Sequence, residues 1–372
     1  MTKIAVIGAN EPSLPFYRQA KELGYTIIGI AWAKGAVCKK YCDKFYPISF
    51  KDKDDVLRVC REEKIDGITS FSLESALPTV VYVARAMGLV SNTEECVRLT
   101  ETKFAQRCAF EKKGIPVPKY YRVENEQDLR MLNLKYPIIV KPLDSGGSQG
   151  IMKLDDSKGL TDAFNNAIEH SRSKKAIVEE FIDGREFSVE YLSCNGKHYF
   201  IQITDKVTSG APHFIEMAHH QPADISEEIA SQIKAMVEKA LTALKIENSP
   251  SHTEIKLNTK GELYIIEIGA RLGGDYITSD LVRLSTGYDM VKGTIELALG
   301  HFTEPVFTSK CFSGVYFYSK MALHIGEVIR NYHNYPEIVE CEIQGEPLPD
   351  VYSNADRGGY LLYQSEKGKL LL

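Results

Sequence analysis

Lys141 ends an apolar run and is followed by three glycines in the stretch KPLDSGGSQG, residues 141–150. Clusters of Gly and Ser usually mark surface linkers. Here the residues before the loop, YPIIVKP, read as a short buried strand, and IMKLDD behind it reads as a second. A glycine loop between two strands, with an ammonium at the end of the first, suits a phosphate. Its bare N–H groups cradle the oxygens while the lysine offsets their charge. The pattern is not the P-loop, whose lysine follows its glycines.

A second constellation lies in SHTEIKLNTKGELYIIEIGARLGGD, where a turn at NTKG separates two alternating strands. A two- or four-residue loop there gives an odd pairing sum and places Glu254 and Glu267 on one face, whereas a three-residue loop would separate them. Two facing carboxylates repel, so a fold that keeps them together needs a cation between them. Hard oxygen ligands beside a phosphate point to Mg²⁺, with Mn²⁺ as an alternative. A solvated acidic face is the plainer explanation, and the apolar IIEI around Glu267 opposes it. Arg271 follows four residues after Glu267, with Gly273 and Gly274 behind it. It is either the salt-bridge partner of these carboxylates or a planar cation reaching a phosphate or acyl-phosphate oxygen.

A third stretch, TDKVTSGAPHFIEMAHHQPA, holds Asp205, Lys206, His213, Glu216, His219 and His220. Each histidine alone is explained by a surface or structural role, and a zinc site lacks a cysteine or a second cluster at matching spacing. In the amino-terminal part, Asn10, Glu11 and Glu74 stand at strand ends facing a prospective cleft. A helix cap or a solvated acid explains them equally well.

These residues must be positioned by a chain of 372 residues with 44% hydrophobic and 26% charged content, long enough for two or three domains. The net charge of −5 argues against a nucleic-acid binder that works through phosphate contacts. Eight scattered cysteines without paired CxxC spacing suggest neither zinc nor a disulfide scaffold. No long apolar stretch appears and MTK leads directly into a strand, so neither a membrane span nor a signal peptide is expected, and the cytoplasm is the expected compartment.

The first ~95 residues alternate strands and helices, which predicts a small parallel sheet wound with helices. KIAVIGAN, TIIGIAW and IDGITSF are its strands, and helices are expected over 13–23, 54–63 and 80–87. A dinucleotide site is disfavoured, because the first turn is GANEPS rather than GxGxxG and no acidic residue ends the second strand. Beyond residue 100 the expected order is a helix, the strands around the glycine loop, and a helix near 161–171. AIVEEFI and EFSVEYL follow, joined by a short turn at Asp183 and Gly184. A polar histidine-rich segment, a helix over 226–244 and the glutamate hairpin complete this part, and the last ~70 residues read as a β-rich unit.

Lys141, the glycine loop, the EEFIDGREFS hairpin and the paired glutamates, in that order, resemble the ATP-grasp family over about 300 of the 372 residues. The resemblance implies a mixed α/β and α+β fold: a wound parallel amino-terminal domain (1–98), a two-part ATP-grasp core (99–301, with a flexible lid about 115–182) and a small β-rich carboxy-terminal unit (302–372). Lys103, in TETKFAQRCAFEKKGIPVPKY, is similar to the family's first nucleotide lysine and Lys141 to the second. Ser145, Gly146, Gly147 and Ser148 then belong to the loop over the terminal phosphates. Glu179, Glu180, Phe181 and Ile182 match the adenine hinge, and Glu186 matches the ribose acid. Glu254 and Glu267 match the metal carboxylates and Arg271 the arginine near the transferred phosphate. Gly269 replaces the asparagine that many relatives use as a further metal ligand, and a water is expected in its place.

The implied chemistry is attack of a carboxylate on the γ-phosphate of ATP, giving an acyl phosphate that an amine captures. The implied partners are a small carboxylate and an amine, an amino acid being expected as one of them, and dimers are common in the family. Glu74, Lys206, His213, Glu216, His219, Gly273 and Gly274 are the candidate substrate residues. Activation of bicarbonate or formate, or a non-catalytic ATP-binding regulator, are the alternatives.

Overall fold

The computed structural model describes residues 2–146 and 149–372. Strands β1 (Lys3–Ile7), β2 (Thr26–Ile30), β3 (Lys44–Tyr46) and β4 (Gly67–Ser70) form a parallel sheet in the order β3-β2-β1-β4. Helices Leu14–Glu22, Lys53–Glu63 and Leu77–Met87 wind around it, as the sequence pattern predicts. The two central strands, β1 and β2, are apolar after their first residue because both faces are covered. Ile4 and Val6 pack with Phe16 and Ile27 on one side, and Ala5 and Ile7 with Ile28 and Val59 on the other. The three-residue β3, KFY, is too short and too polar for a reading based on apolar runs.

A second, antiparallel sheet holds β5 (Tyr120–Val123), β6 (Ile138–Pro142), β7 (Met152–Leu154) and β8 (Ala176–Glu180), ordered β5-β8-β6-β7. The glycine loop joins β6 to β7, as expected. Helix Leu160–His170 buries Ala163, Phe164 and Ala167 against Val140 and Val178 of this sheet.

The third sheet has eight strands in the order β13-β12-β9-β10-β11-β14-β16-β15. These are β9 (Arg185–Cys194), β10 (Lys197–Thr208), β11 (Glu216–Gln221), β12 (Ser249–Leu257), β13 (Leu263–Gly269), β14 (Phe312–Tyr318), β15 (Ile338–Ile343) and β16 (Gly359–Ser365). Its last three strands come from the carboxy-terminal residues and enter the sheet through β11, where Ala218 pairs with Tyr316. The histidine-rich segment that reads simply as polar is the β10–β11 hairpin of this sheet.

One sequence expectation is overturned here. EEFIDGREFS is not a hairpin, because β8 pairs with β5 and β6 in the second sheet while β9 pairs with β10 and β12 in the third. A Gly-containing turn between two apolar runs reports a break in the chain, not the partner of either run. Residues 181–184 cross between the sheets, and Gly184 makes the crossing at φ 128°, so close to the next hairpin that a Cβ would overlap the Leu257 carbonyl.

The third sheet has one apolar and one polar face, as period-2 alternation dictates. Phe187, Val189, Tyr191, Ile203, Ile255 and Ile268 pack against Ile233, Val237 and Leu241 of helix Glu227–Ala243. That helix starts at Ser226, whose side chain accepts from the Ile229 N–H, with Glu227 and Glu228 in its first turn. The other face carries rows of polar residues paired across strands. Lys256, Glu186, Lys206 and His219 form one row, Glu267, Glu254, Ser188 and Thr204 the next, and Gly269, His252, Glu190 and Gln202 a third.

Two β-bulges set this face. Leu257 pairs with Leu263 across a five-residue loop, a register that would place Glu254 and Glu267 on opposite faces. Between Ile255 and Glu254 the register shifts, leaving Ile266 as the extra residue and bringing Glu254 directly opposite Glu267. The expected pairing is reached, but through a bulge rather than through a two- or four-residue loop. On β11 a second shift, between Val207–Ala218 and Thr208–Glu216, puts Glu216 on the same face as His219 although they are three residues apart.

Candidate active site

Helix Lys103–Lys112 begins at Thr102, whose hydroxyl accepts from the Ala105 N–H at 3.1 Å. Lys103, Gln106 and Arg107 share one face of it at i, i+3 and i+4. That face reads three consecutive residues of β13. Arg107 donates to the Ile266 carbonyl at 2.6 Å, Lys103 to the Glu267 carboxylate at 2.8 Å, and Gln106 exchanges two hydrogen bonds with the Ile268 backbone at 2.9 Å. Lys103 also donates to the Ser145 carbonyl of the glycine loop at 2.8 Å, so one ammonium joins that loop to the glutamate hairpin. Burial opposes its charge, but Glu267, Glu74 and Glu254 together outweigh burial and raise its pKa.

Lys141 and Glu179 meet in a buried triad. Lys141 Nζ lies 2.5 Å from Glu179 Oε2, and the fully buried Arg107 donates through Nε to Glu179 Oε1 at 2.6 Å. Burial by itself would raise the Glu179 carboxyl, yet Arg107 and Lys141 together hold it down at about 2. Burial lowers the Lys141 pKa, with Glu179 opposing and Arg107 reinforcing the shift. The side chain of Glu179 therefore anchors two cations, a task its assignment to the adenine hinge did not suggest. Nearby, Phe181 stands among Lys153 (4.8 Å), Lys256 (5.0 Å) and Phe214 (6.0 Å). Ile182 is buried and Glu180 exposed. Gly146 is open to solvent, while Gly147 and Ser148 lie outside the described residues.

Lys206 sits among three carboxylates: Glu216 at 2.8 Å, Glu254 at 3.0 Å and Glu186 at 3.0 Å. Burial would weaken its charge, but these acids raise its pKa well above the usual lysine value. Against burial, Lys206 in turn holds Glu216 and Glu254 well below the carboxylate range. Behind Glu254 the buried pair His252–Glu190 (2.6 Å) keeps the imidazole charged: burial disfavours the cation, yet Glu190 raises its pKa to about 9. Gly273 is required there, since a Cβ would lie 2.6 Å from His252 Nδ1. At Gly274 a Cβ would lie 3.2 Å from the Ser72 hydroxyl.

Arg271 donates to the Leu272 carbonyl at 2.9 Å, and its buried Nε has no hydrogen-bond partner among the described residues. Its side chain takes the space beside Gly269, where a Cβ would lie 3.0 Å from Arg271 Nε. The position expected to admit a water is thus lined by the arginine. Glu74, on a single turn Glu74–Ala76 after β4, has its carboxyl pushed up by burial and then by the charge of Glu267, with Arg271 and Lys103 opposing. The structure therefore brings Lys103, Glu74, Glu267 and Arg271 into one electrostatic cluster. His213 stands apart: it is exposed, edge-on to Tyr352. Asn10 accepts from the Ser13 hydroxyl at 2.8 Å, a local turn contact.

Several residues of this face escape the sequence reading. Arg107 and Gln106 left a signal, a polar stripe KxxQR on a helix otherwise packed by Ala109 and Phe110. Asp275 and Arg357 form a bidentate pair at 2.7 and 3.1 Å across 82 positions, and no local pattern announces it.

The donor set fits a magnesium ion. Two carboxylates face each other, with Lys103 on Glu267 and Lys206 on Glu254, and all the donors are hard oxygens. All eight cysteines are free.

With this geometry in place, comparison with known proteins places the central part of the chain. Residues 134–280 match the model of the ATP-grasp domain, so this part of the chain is an ATP-grasp domain. It is 27% identical over 245 residues to an alanine–anticapsin ligase of Bacillus subtilis, covering 59% of this chain and 51% of that relative. The chain spans about half the length of the first curated relatives it matches. Among solved structures it shares the fold of an L-amino acid ligase from Bacillus licheniformis, with TM-score 0.80 at 23% identity, over 99% of this chain and 94% of that one. It also shares the fold of an N5-carboxyaminoimidazole synthetase from Staphylococcus aureus complexed with ADP, with TM-score 0.79 at 17% identity, over 98% and 94% of the two chains. Among the described residues no helix is long and apolar enough to cross a membrane.

Proposed function

We propose that this protein is an ATP-dependent carboxylate–amine ligase that activates a small acid as its acyl phosphate and joins it to an amine, releasing ADP and phosphate. An amino acid is one substrate. The observation that carries this reading is the Glu254–Glu267 pair, held face to face by a bulge, with Lys103 bridging Glu267 to the glycine loop.

Lys103 and Lys141 neutralise the phosphates of ATP, and the loop from Ser145 to Gly150 folds over them. Glu179, Glu180, Phe181 and Ile182 hold the adenine, and Glu186 holds the ribose. Glu254 and Glu267 hold Mg²⁺, which when bound supplies charge neutralisation at the transferred phosphoryl group. Arg271, whose buried Nε has no partner among the described residues, stabilises the oxygen that develops charge during acyl transfer. The substrate carboxylate and amine are the nucleophiles, so no Ser, His or Cys nucleophile is required.

Hydroxylamine tests the reading, because it captures acyl phosphates as hydroxamates. Incubation with MgATP, pools of amino acids and hydroxylamine is expected to give ADP and an amino-acyl hydroxamate. Hydroxamate from no acid, or release only with bicarbonate or formate, would overturn it.

A further inference from the structure

Arg172 stands in the turn after helix Leu160–His170, outside the candidate site residues, yet it is tied to the root of the glycine loop. Its Nε donates to the Asp144 carbonyl at 2.9 Å, and its Nη2 donates to the same oxygen. The Asp144 carboxylate is engaged elsewhere: it accepts from the Ser171 hydroxyl at 2.8 Å and from the backbone N–H groups of Arg172 and Ser173, each at 2.9 Å. The next residue, Ser145, donates to the His170 carbonyl, and its own carbonyl accepts from Lys103. Arg172 and Lys103 thus hold the carbonyls of two successive residues at the start of the loop.

Anchoring a carbonyl needs only a neutral donor, and the guanidinium offers more than that. Its contact with Asp144 uses Nε–H and the Nη2–H parallel to it. The outer edge, one N–H of Nη1 and the second of Nη2, again runs parallel, and it has no partner among the described residues. That edge is the fork which fits two oxygens of one anion. Arg172 is exposed, and among the described residues no carboxylate side chain pairs with its charge. Glu74 in the amino-terminal domain feels that charge: burial and then Glu267 push its carboxyl up, while Arg271, Lys103 and Arg172 oppose the shift. Arg172 therefore borders the cluster of Glu74, Glu267, Arg271 and Lys103, where the reading above gathers the metal and the transferred phosphate.

We propose that Arg172 is a further phosphate-binding residue, whose outer edge takes two oxygens of the terminal phosphate of ATP while its inner edge stays on the Asp144 carbonyl. This rests on the ATP site of the reading above and adds a residue to it. The bonds to Asp144 fix the plane of the guanidinium in advance, so little side-chain freedom is left to lose when the phosphate arrives. The inner phosphates have Lys141, and the terminal phosphate gains a cation carried by the same turn that holds the root of the glycine loop.

Calorimetric titration with a non-hydrolysable ATP analogue and with ADP, each with Mg²⁺, tests this in the wild type, Arg172→Gln and Arg172→Lys. Glutamine keeps an N–H donor for the Asp144 carbonyl and removes both charge and fork. The affinity for the analogue should fall at least tenfold in Arg172→Gln, while that for ADP changes less than twofold. Arg172→Lys, which keeps the charge without the fork, should restore part of the loss. Equal losses for the two nucleotides would make Arg172 an anchor of the loop alone and overturn the inference, as would unchanged affinity for the analogue. Melting curves identify a variant that fails to fold. If Arg172→Gln does, Arg172→Lys decides, with a loss of at least threefold expected for the analogue alone. Neither acid nor amine enters these titrations, so absence of hydroxamate would overturn the ligase reading and leave this inference standing. Failure of the wild type to bind either nucleotide would overturn the ATP site and the inference together.

Discussion

Arg107 donates a hydrogen bond to the carbonyl of Ile266, the residue that a β-bulge leaves unpaired between Glu254 and Glu267. Without that bulge, the five-residue loop would send the two glutamates to opposite faces of the sheet. The same guanidinium holds Glu179, so a single buried cation joins the hairpin of the candidate metal site to the strand before the adenine hinge.

Arg107→Met leaves the Ile266 carbonyl unsatisfied and Glu179 with only Lys141. A loss of about 3 kcal/mol is expected from breaking a buried, hydrogen-bonded pair. Urea unfolding measures it, and an unchanged midpoint would show that the bulge is held without Arg107.

Glu179 makes acid stability depend on pH in a definite direction. Its folded pKa of about 2 lies below the ordinary value near ~4.3, so its contribution is present above that ordinary value and fades as pH falls toward 2. In Glu179→Gln this part of the acid limb should flatten, while stability at neutral pH falls because Arg107 and Lys141 remain buried without their partner. Denaturant midpoints between pH 6 and pH 2 for both proteins check the two effects together.

Gly184→Ala should destabilise the protein by at least about 2 kcal/mol, because φ 128° disfavours a side chain and a Cβ would overlap the Leu257 carbonyl. A melting temperature equal to that of the parent would mean that the crossing between the two sheets relaxes freely.

Glu267→Gln should abolish product formation and weaken Mg²⁺-dependent ATP binding at least tenfold. Calorimetric titration of a non-hydrolysable ATP analogue, with and without Mg²⁺, reads this directly. Normal turnover in the variant would remove Glu267 from the metal site.

Much of this arrangement is legible in the chain because its signals are local. The glycine loop behind Lys141 and the two glutamates flanking one turn are residue types at short spacing, and the amino-terminal sheet is written in apolar runs. What stays hidden depends on distant pairing. EEFI and REFS look like two arms of a hairpin, and only their partners, Tyr120 for one and Lys206 for the other, reveal two sheets. Bulges at Ile266 and beside Glu216 change which residues share a face without changing any composition. Asp275 meets Arg357 through a fold that returns the carboxy-terminal strands to the central sheet, and polar residues on β10 and β11 read as loop because their face lines a site.

The central claim is that a carboxylate oxygen attacks the γ-phosphate of ATP. Supplying the acid substrate with both carboxylate oxygens labelled as ¹⁸O and weighing the released phosphate tests this most directly. The account predicts one ¹⁸O in each phosphate, formed with one ADP per amide bond. Unlabelled phosphate, or release of AMP and pyrophosphate with the label in AMP, would contradict it.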